Sequence, residues 1–163
     1  MAESYPDSLL VCTLKPVHEG EELLKIPLHV TIQPWFSVPD RYEGAFLNGL
    51  INYVHDQRPI SISGGEQAFF GPNKSVRVRK ISHGIGQLAA VHEATGALIQ
   101  RYDGYVDSEW VGDKYVPHVR DVQDESLGLG ETVVLSAVQL LRRSPGDAKK
   151  IVEHVLHFGG NTR

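Results

Sequence analysis

The chain has 163 residues, 41% of them hydrophobic, a single cysteine and a formal net charge of −4. This is enough apolar material for one sizeable core, so one domain over residues 1–163 is expected. The acidic balance excludes a protein that coats nucleic acid by bulk electrostatics, though not one that holds a nucleotide or a short RNA end at a local basic patch. The lone cysteine, Cys12, sits in an apolar run and excludes an intrachain disulfide framework or a cysteine-built zinc site. The start, Met1-Ala2-Glu3-Ser4, lacks the basic and apolar regions of a signal peptide, and no apolar run has membrane-spanning length. A soluble, cytoplasmic protein with no membrane attachment is expected, and a monomer.

Ser8 to Leu14 reads as a buried first strand, ended by Lys15-Pro16. His18 to Glu22 is a polar loop, and Pro27 to Phe36 is a strand rich in β-formers. Ser37 is a candidate helix cap with Asp40 three positions on. Tyr42, Ala45, Phe46, Gly49, Leu50 and Tyr53 then recur at helical spacing, predicting a helix from about Val38 to His55. Three short strands follow, Ile60 to Ser63, Gln67 to Gly71 and Ser75 to Ile81, with Gly64-Gly65 and Gly71-Pro72-Asn73 as turns. A second helix starts at Ser82, buries Leu88, Val91, Thr95, Leu98, Ile99 and Tyr102, and stops at Asp103-Gly104. The strand Tyr115 to Arg120 comes next. After a glycine-rich loop at Gly128 to Gly130 come two β-rich segments, Thr132 to Arg142 and Lys150 to Phe158, joined by the turn Ser144-Pro145-Gly146-Asp147. The order is α+β rather than strict βαβ alternation.

Two of these strands share a layout. Side chains alternate faces along a strand, so in His29-Val30-Thr31-Ile32 the imidazole and the hydroxyl project together while Val30 and Ile32 enter a core. In Pro117-His118-Val119-Arg120 the same alternation puts His118 and Arg120 on one face. Two strands that each offer a histidine and a polar neighbour suggest one shared site. At these residues the chain resembles the two-histidine (2H) phosphoesterases, the group that includes 2'-5' RNA ligase-like proteins and cyclic phosphodiesterases. That family carries two His-x-Thr/Ser-x motifs. The first is matched in full by His29-Val30-Thr31-Ile32. The second is matched at Pro117-His118-Val119 and departs at Arg120, where Thr or Ser is expected. In layout the resemblance spans Leu9 to Phe158. It implies two pseudo-symmetric lobes of antiparallel strands with flanking helices around a central cleft.

Two facing histidines can divide acid and base work, because imidazole titrates near neutral pH. Opening a cyclic phosphodiester needs a base for water and an acid for the leaving oxygen on opposite sides of phosphorus. The Thr31 hydroxyl can donate to a non-bridging phosphate oxygen where charge must be held. Arg120 can grip a phosphate bidentately, fill the cleft, or pair with an acid such as Asp124 in a half-site that has lost its role. The catalytic candidates are therefore His29, His118, Thr31 and Arg120. Trp35, Tyr115 and Phe70 are candidates for contact with a base. Phe36 is expected under the following helix.

No cofactor or metal is expected. His154 and His157 lie three apart in a strand and point to opposite faces, and no His-x-x-x-His pair sits on a convincing helix. Gly128-Leu129-Gly130 lacks the ending of a phosphate loop. Lys74, Arg77, Arg79 and Lys80 are the densest basic run, read as a solvated strand face ahead of a nucleic-acid groove. The expected activity is phosphoesterase action on a 2',3'-cyclic phosphate or 2'-5' linkage of a nucleotide or RNA end, which is also the expected partner. The alternatives are a binding module that kept the cleft and lost the second half-site, and a purely structural protein.

Overall fold

The computed structural model describes residues 5–159. Among them ten strands form one sheet in the order β2-β10-β9-β1-β3-β7-β5-β4-β8, every pairing antiparallel, with β6 beside the end of β3. The strands are β1 (Ser8–Thr13), β2 (Glu22–Leu23), β3 (His29–Ser37), β4 (Ile60–Phe70), β5 (Val76–His83), β6 (Tyr105–Val106), β7 (His118–Arg120), β8 (Thr132–Leu135), β9 (Ala137–Arg143) and β10 (Lys150–His157). Two helices, α1 (Glu43–His55) and α2 (Ile85–Arg101), complete the α+β fold. No helix among the described residues is long and apolar enough to cross a membrane.

Strand alternation divides the core in two. Leu10, Cys12, Val30, Ile32, Ile81 and Val119 face the helices and pack with Phe46, Leu50 and Val54 of α1 and Leu88, Val91 and Ile99 of α2. Leu9 and Val11 point the other way and pack with Val17, Leu23, Leu141 and Val152. All six residues of β1 are buried as a result, which is why this strand reads as a continuous apolar run. Phe36 meets Phe46 of α1 edge-on at 5.8 Å, as expected.

The differences from the sequence-based expectations have local causes. Ser37 is the buried last residue of β3 and caps nothing. Pro39, at φ −55° and ψ 143°, keeps the chain extended there, so a 3-10 turn at Asp40–Tyr42 leads into α1 instead. Gly64-Gly65 is an irregularity inside the single strand β4, not a turn. The Gly64 N–H donates to the Glu131 carbonyl, and a Cβ at Gly64 would collide with the Gly128 carbonyl oxygen, so the glycine permits a close backbone approach. β5 runs through Ser82 to His83, and Gly84, at φ 91°, makes the switch into α2. The segment Thr132 to Arg142 breaks at Ser136: β8 pairs with β4, whereas β9 pairs with β1 and β10. One residue therefore joins opposite halves of the sheet, which must curl for β8 and β9 to meet end to end. The Ser144–Asp147 turn between β9 and β10 forms as expected, with the Asp147 N–H donating to the Ser144 carbonyl.

Candidate active site

β3 and β7 lie side by side at the middle of the sheet, paired at Val30 and Val119. Both valines are fully buried on the helix side, which turns His29, Thr31, His118 and Arg120 together onto the opposite face. An antiparallel pair has a local two-fold axis. Here it relates His29 to His118 and Thr31 to Arg120. His29 stands opposite Arg120, Thr31 stands opposite His118, and the two histidines are diagonal neighbours, a relation in which residues lie roughly 7–8 Å apart and their Cβ atoms somewhat closer.

The imidazoles are held alike. His29 Nδ1–H donates to the Pro27 carbonyl and His118 Nδ1–H to the Val116 carbonyl, both at 2.8 Å. A carbonyl can only accept, so Nδ1 carries the proton in each ring and Nε2 is left for a substrate. Burial holds the His29 pKa below its ordinary value. The Pro27 carbonyl opposes that shift, and His118 and Arg120 add to it. Arg120 is exposed and makes no ion pair among the described residues. The pairing with Asp124 considered above does not form.

A cavity of about 690 Å³ opens beside His118, within the size range of small-molecule sites. Thr31, Pro34, Phe70, Trp110, Tyr115 and His118 form most of its wall, and Lys114 supplies a cation. Phe70 meets the His118 ring edge-on at 4.9 Å. Tyr115 donates its hydroxyl to the Thr31 carbonyl at 2.7 Å. Phe70 and Tyr115 thus both line the cavity. Trp35 does not: it packs against the second core cluster with the Arg143 guanidinium 3.8 Å over its ring, and the register shifts between β1 and β3 beyond Thr31 break the simple alternation that would have kept it in line with His29 and Thr31. The basic run forms no free groove either. Arg77 pairs with Asp121, Lys80 with Glu66, and Arg79 donates to the Leu127 and Gly65 carbonyls.

Sequence reasoning missed the residue that fixes the cavity's outer wall. His92, buried on α2, donates from Nδ1 to the Ile32 carbonyl at 2.7 Å and accepts the Gly112 N–H at Nε2 at 2.9 Å. Its ring lies flat on Tyr115, centroids 4.0 Å apart. Gln33 and Thr95 complete the buried polar cluster. His92 falls on the apolar stripe of α2 next to Val91, and a titratable residue in a buried stripe was the available signal. Trp110 and Lys114, in the loop this cluster holds, were missed as well. Trp110 is 64% exposed, an unusual position for a side chain of its size. Among the described residues no three His, Cys, Asp or Glu side chains gather as a metal site.

The architecture matches solved structures. The chain is similar to TT0787 of Thermus thermophilus, at 13% identity and a TM-score of 0.62 over 95% of this chain and 99% of that one. It is similar to a structure described as a phosphoesterase, at 11% identity and 0.62 over 94% and 95%. It is also similar to E. coli LigT complexed with NADP+, at 13% identity and 0.59 over 90% and 93%. The fold is that of the LigT-like two-histidine phosphoesterases. No protein-family model and no curated protein matches the sequence. At these identities the likeness concerns the LigT-like fold alone, and any chemistry has to be argued from the site.

Proposed function

We propose that the protein is a phosphoesterase that opens or hydrolyses 2',3'-cyclic phosphates or related 2'-5' linkages on nucleotides or RNA ends, with His29 and His118 as its acid and base. The observation that carries this reading is the dyad-related pair of imidazoles, each with Nδ1 tied to a carbonyl and Nε2 free, on a face shared with Thr31 and Arg120. A neutral imidazole takes a proton from water as the water oxygen bonds to phosphorus. The P–O bond to the sugar breaks, and the other imidazole, protonated, gives its proton to the departing sugar oxygen. The net change is addition of water across one P–O bond. The Thr31 hydroxyl and the Arg120 guanidinium hold the non-bridging oxygens as charge builds on them.

The test is turnover of 2',3'-cyclic nucleotides and of an RNA with a 2',3'-cyclic end, in EDTA. His29→Ala and His118→Ala should each lower kcat by about 10²–10⁴-fold. Turnover that persists in both variants, or that EDTA abolishes, would refute two-histidine catalysis. A second reading, a nucleotide- or RNA-binding module without turnover, is favoured by one observation: Arg120 occupies the place the dyad assigns to a counterpart of the Thr31 hydroxyl. Saturable nucleotide binding with no turnover would select it.

A further inference from the structure

The dyad between β3 and β7 makes the backbone of the two half-sites equivalent, so the Thr31/Arg120 difference is a difference in charge at matched positions. A hydroxyl donates a hydrogen bond to a phosphate oxygen without adding charge. A guanidinium adds a full positive charge and two parallel donors. Arg120 is exposed, stands opposite His29 and has no acidic partner among the described residues. Lys80, opposite His118, is already answered by Glu66 at 3.6 Å, and Lys114 lies at the cavity wall. Among the described residues Arg120, beside His29, and Lys114, at the cavity wall, are therefore cations without an acidic partner, and Arg120 is the one on the strand face that carries the histidines.

The ligand such a face fits differs in charge from a cyclic diester, which carries one negative charge. A phosphomonoester carries a second above a pKa of about 6. We propose that Arg120 makes the site selective for a dianionic phosphomonoester, a nucleoside 2'- or 3'-phosphate, with the nucleoside in the Phe70–Trp110–Tyr115 cavity. This rests on the phosphate-site reading given above and adds to it that the hydrolysis product binds more tightly than a diester.

Calorimetric titration at pH 7.5 tests it with 3'-deoxyadenosine 2'-phosphate and 2'-deoxyadenosine 3'-phosphate, each against its own monomethyl ester. These probes lack the neighbouring hydroxyl needed to cyclise, and each pair differs by one charge. At least one monoester should bind the parent protein about tenfold more tightly than its methyl ester. That ratio should fall to near one in Arg120→Thr and lie between in Arg120→Lys, whose ammonium is a point charge without the fork. A parent ratio near one, or a ratio unchanged by Arg120→Thr, would overturn the proposal. Turnover with a ratio near one would sink this inference and leave the proposed activity standing. A tenfold ratio without turnover would do the reverse. Binding of none of the four probes would refute the phosphate site itself.

Discussion

Replacing His92 with leucine isolates what the buried imidazole does, because leucine keeps the apolar contacts and fills much of the space. Two hydrogen bonds are lost, from Nδ1 to the Ile32 carbonyl and from the Gly112 N–H to Nε2. Each contributes about 1 kcal/mol net. The flat stack on Tyr115, with rings 7° from parallel, adds about 1 kcal/mol. The sum is about 3 kcal/mol. For a chain of 163 residues, that corresponds to a fall in Tm of about 10 °C. The functional effect should follow from position. Gly112 and Tyr115 belong to the loop that carries Trp110 and Lys114, whereas His29 and His118 are fixed by their own strands and by the Pro27 and Val116 carbonyls. The KM for a cyclic nucleotide should therefore rise several-fold while kcat changes little. Calorimetric melting and steady-state kinetics on His92→Leu read both effects. A fall in Tm below about 3 °C would refute the hydrogen-bond accounting. A full loss of stability with KM unchanged would refute the link between His92 and the cavity wall.

Three further outcomes are expected. The His29 pKa is lower in the folded protein than its ordinary 6.5, so as pH falls the unfolded chain takes up this proton first. Stability should decline from about pH 6.5 down to the folded-state pKa, and urea midpoints between pH 8 and pH 5 should lose part of that slope in His29→Gln. In Gly64→Ala the new Cβ meets backbone at Gly128, which cannot swing aside as a side chain would. The urea midpoint should register a loss of about 2–3 kcal/mol, and a neutral result would mean the β4 approach to the glycine loop is not tight. Trp110→Ala should raise the KM of a nucleotide substrate about tenfold with kcat nearly unchanged, as loss of one stacking contact predicts. An unchanged KM would remove Trp110 from the binding surface.

What was legible in the sequence follows the range of the interactions involved. Alternation along β3 and β7 is local, and it was enough to put His29 with Thr31 and His118 with Arg120. That the strands pair directly, through Val30 and Val119, is a long-range fact no local pattern encodes. Helix starts failed for a related reason. Ser37 and Ser82 have good capping chemistry, but each is held in a strand, and strand pairing outweighs a cap worth about 1 kcal/mol. Gly64-Gly65 looked like a turn because glycine marks both turns and close approaches, and only the position of Gly128 tells which. Trp35 and Phe70 show the same limit for the site: both are aromatics near a motif histidine, yet only Phe70 lines the cavity and meets His118, while register shifts along β3 leave Trp35 packed on the second core cluster.

Within the proposed chemistry, the same geometry predicts which histidine acts as which. The cavity lies beside His118, which is one of its lining residues, and Arg120 stands opposite His29. A ligand with an apolar body and an anionic phosphate has one good orientation, its body in the cavity and its phosphate toward Arg120. The oxygen that leaves belongs to the body, so it departs on the His118 side, and in-line attack brings water in beside His29. His29 suits the base, since burial, His118 and Arg120 all keep its imidazole neutral. His118 is then the acid. Leaving-group dependence separates the two roles, because a departing 4-nitrophenolate needs no proton and a sugar alkoxide does. On a 4-nitrophenyl phosphodiester, His118→Ala should retain most of the parent rate and His29→Ala should not. Equal losses in the two variants, or the opposite ranking, would mean that the cavity does not set the direction in which the ester binds.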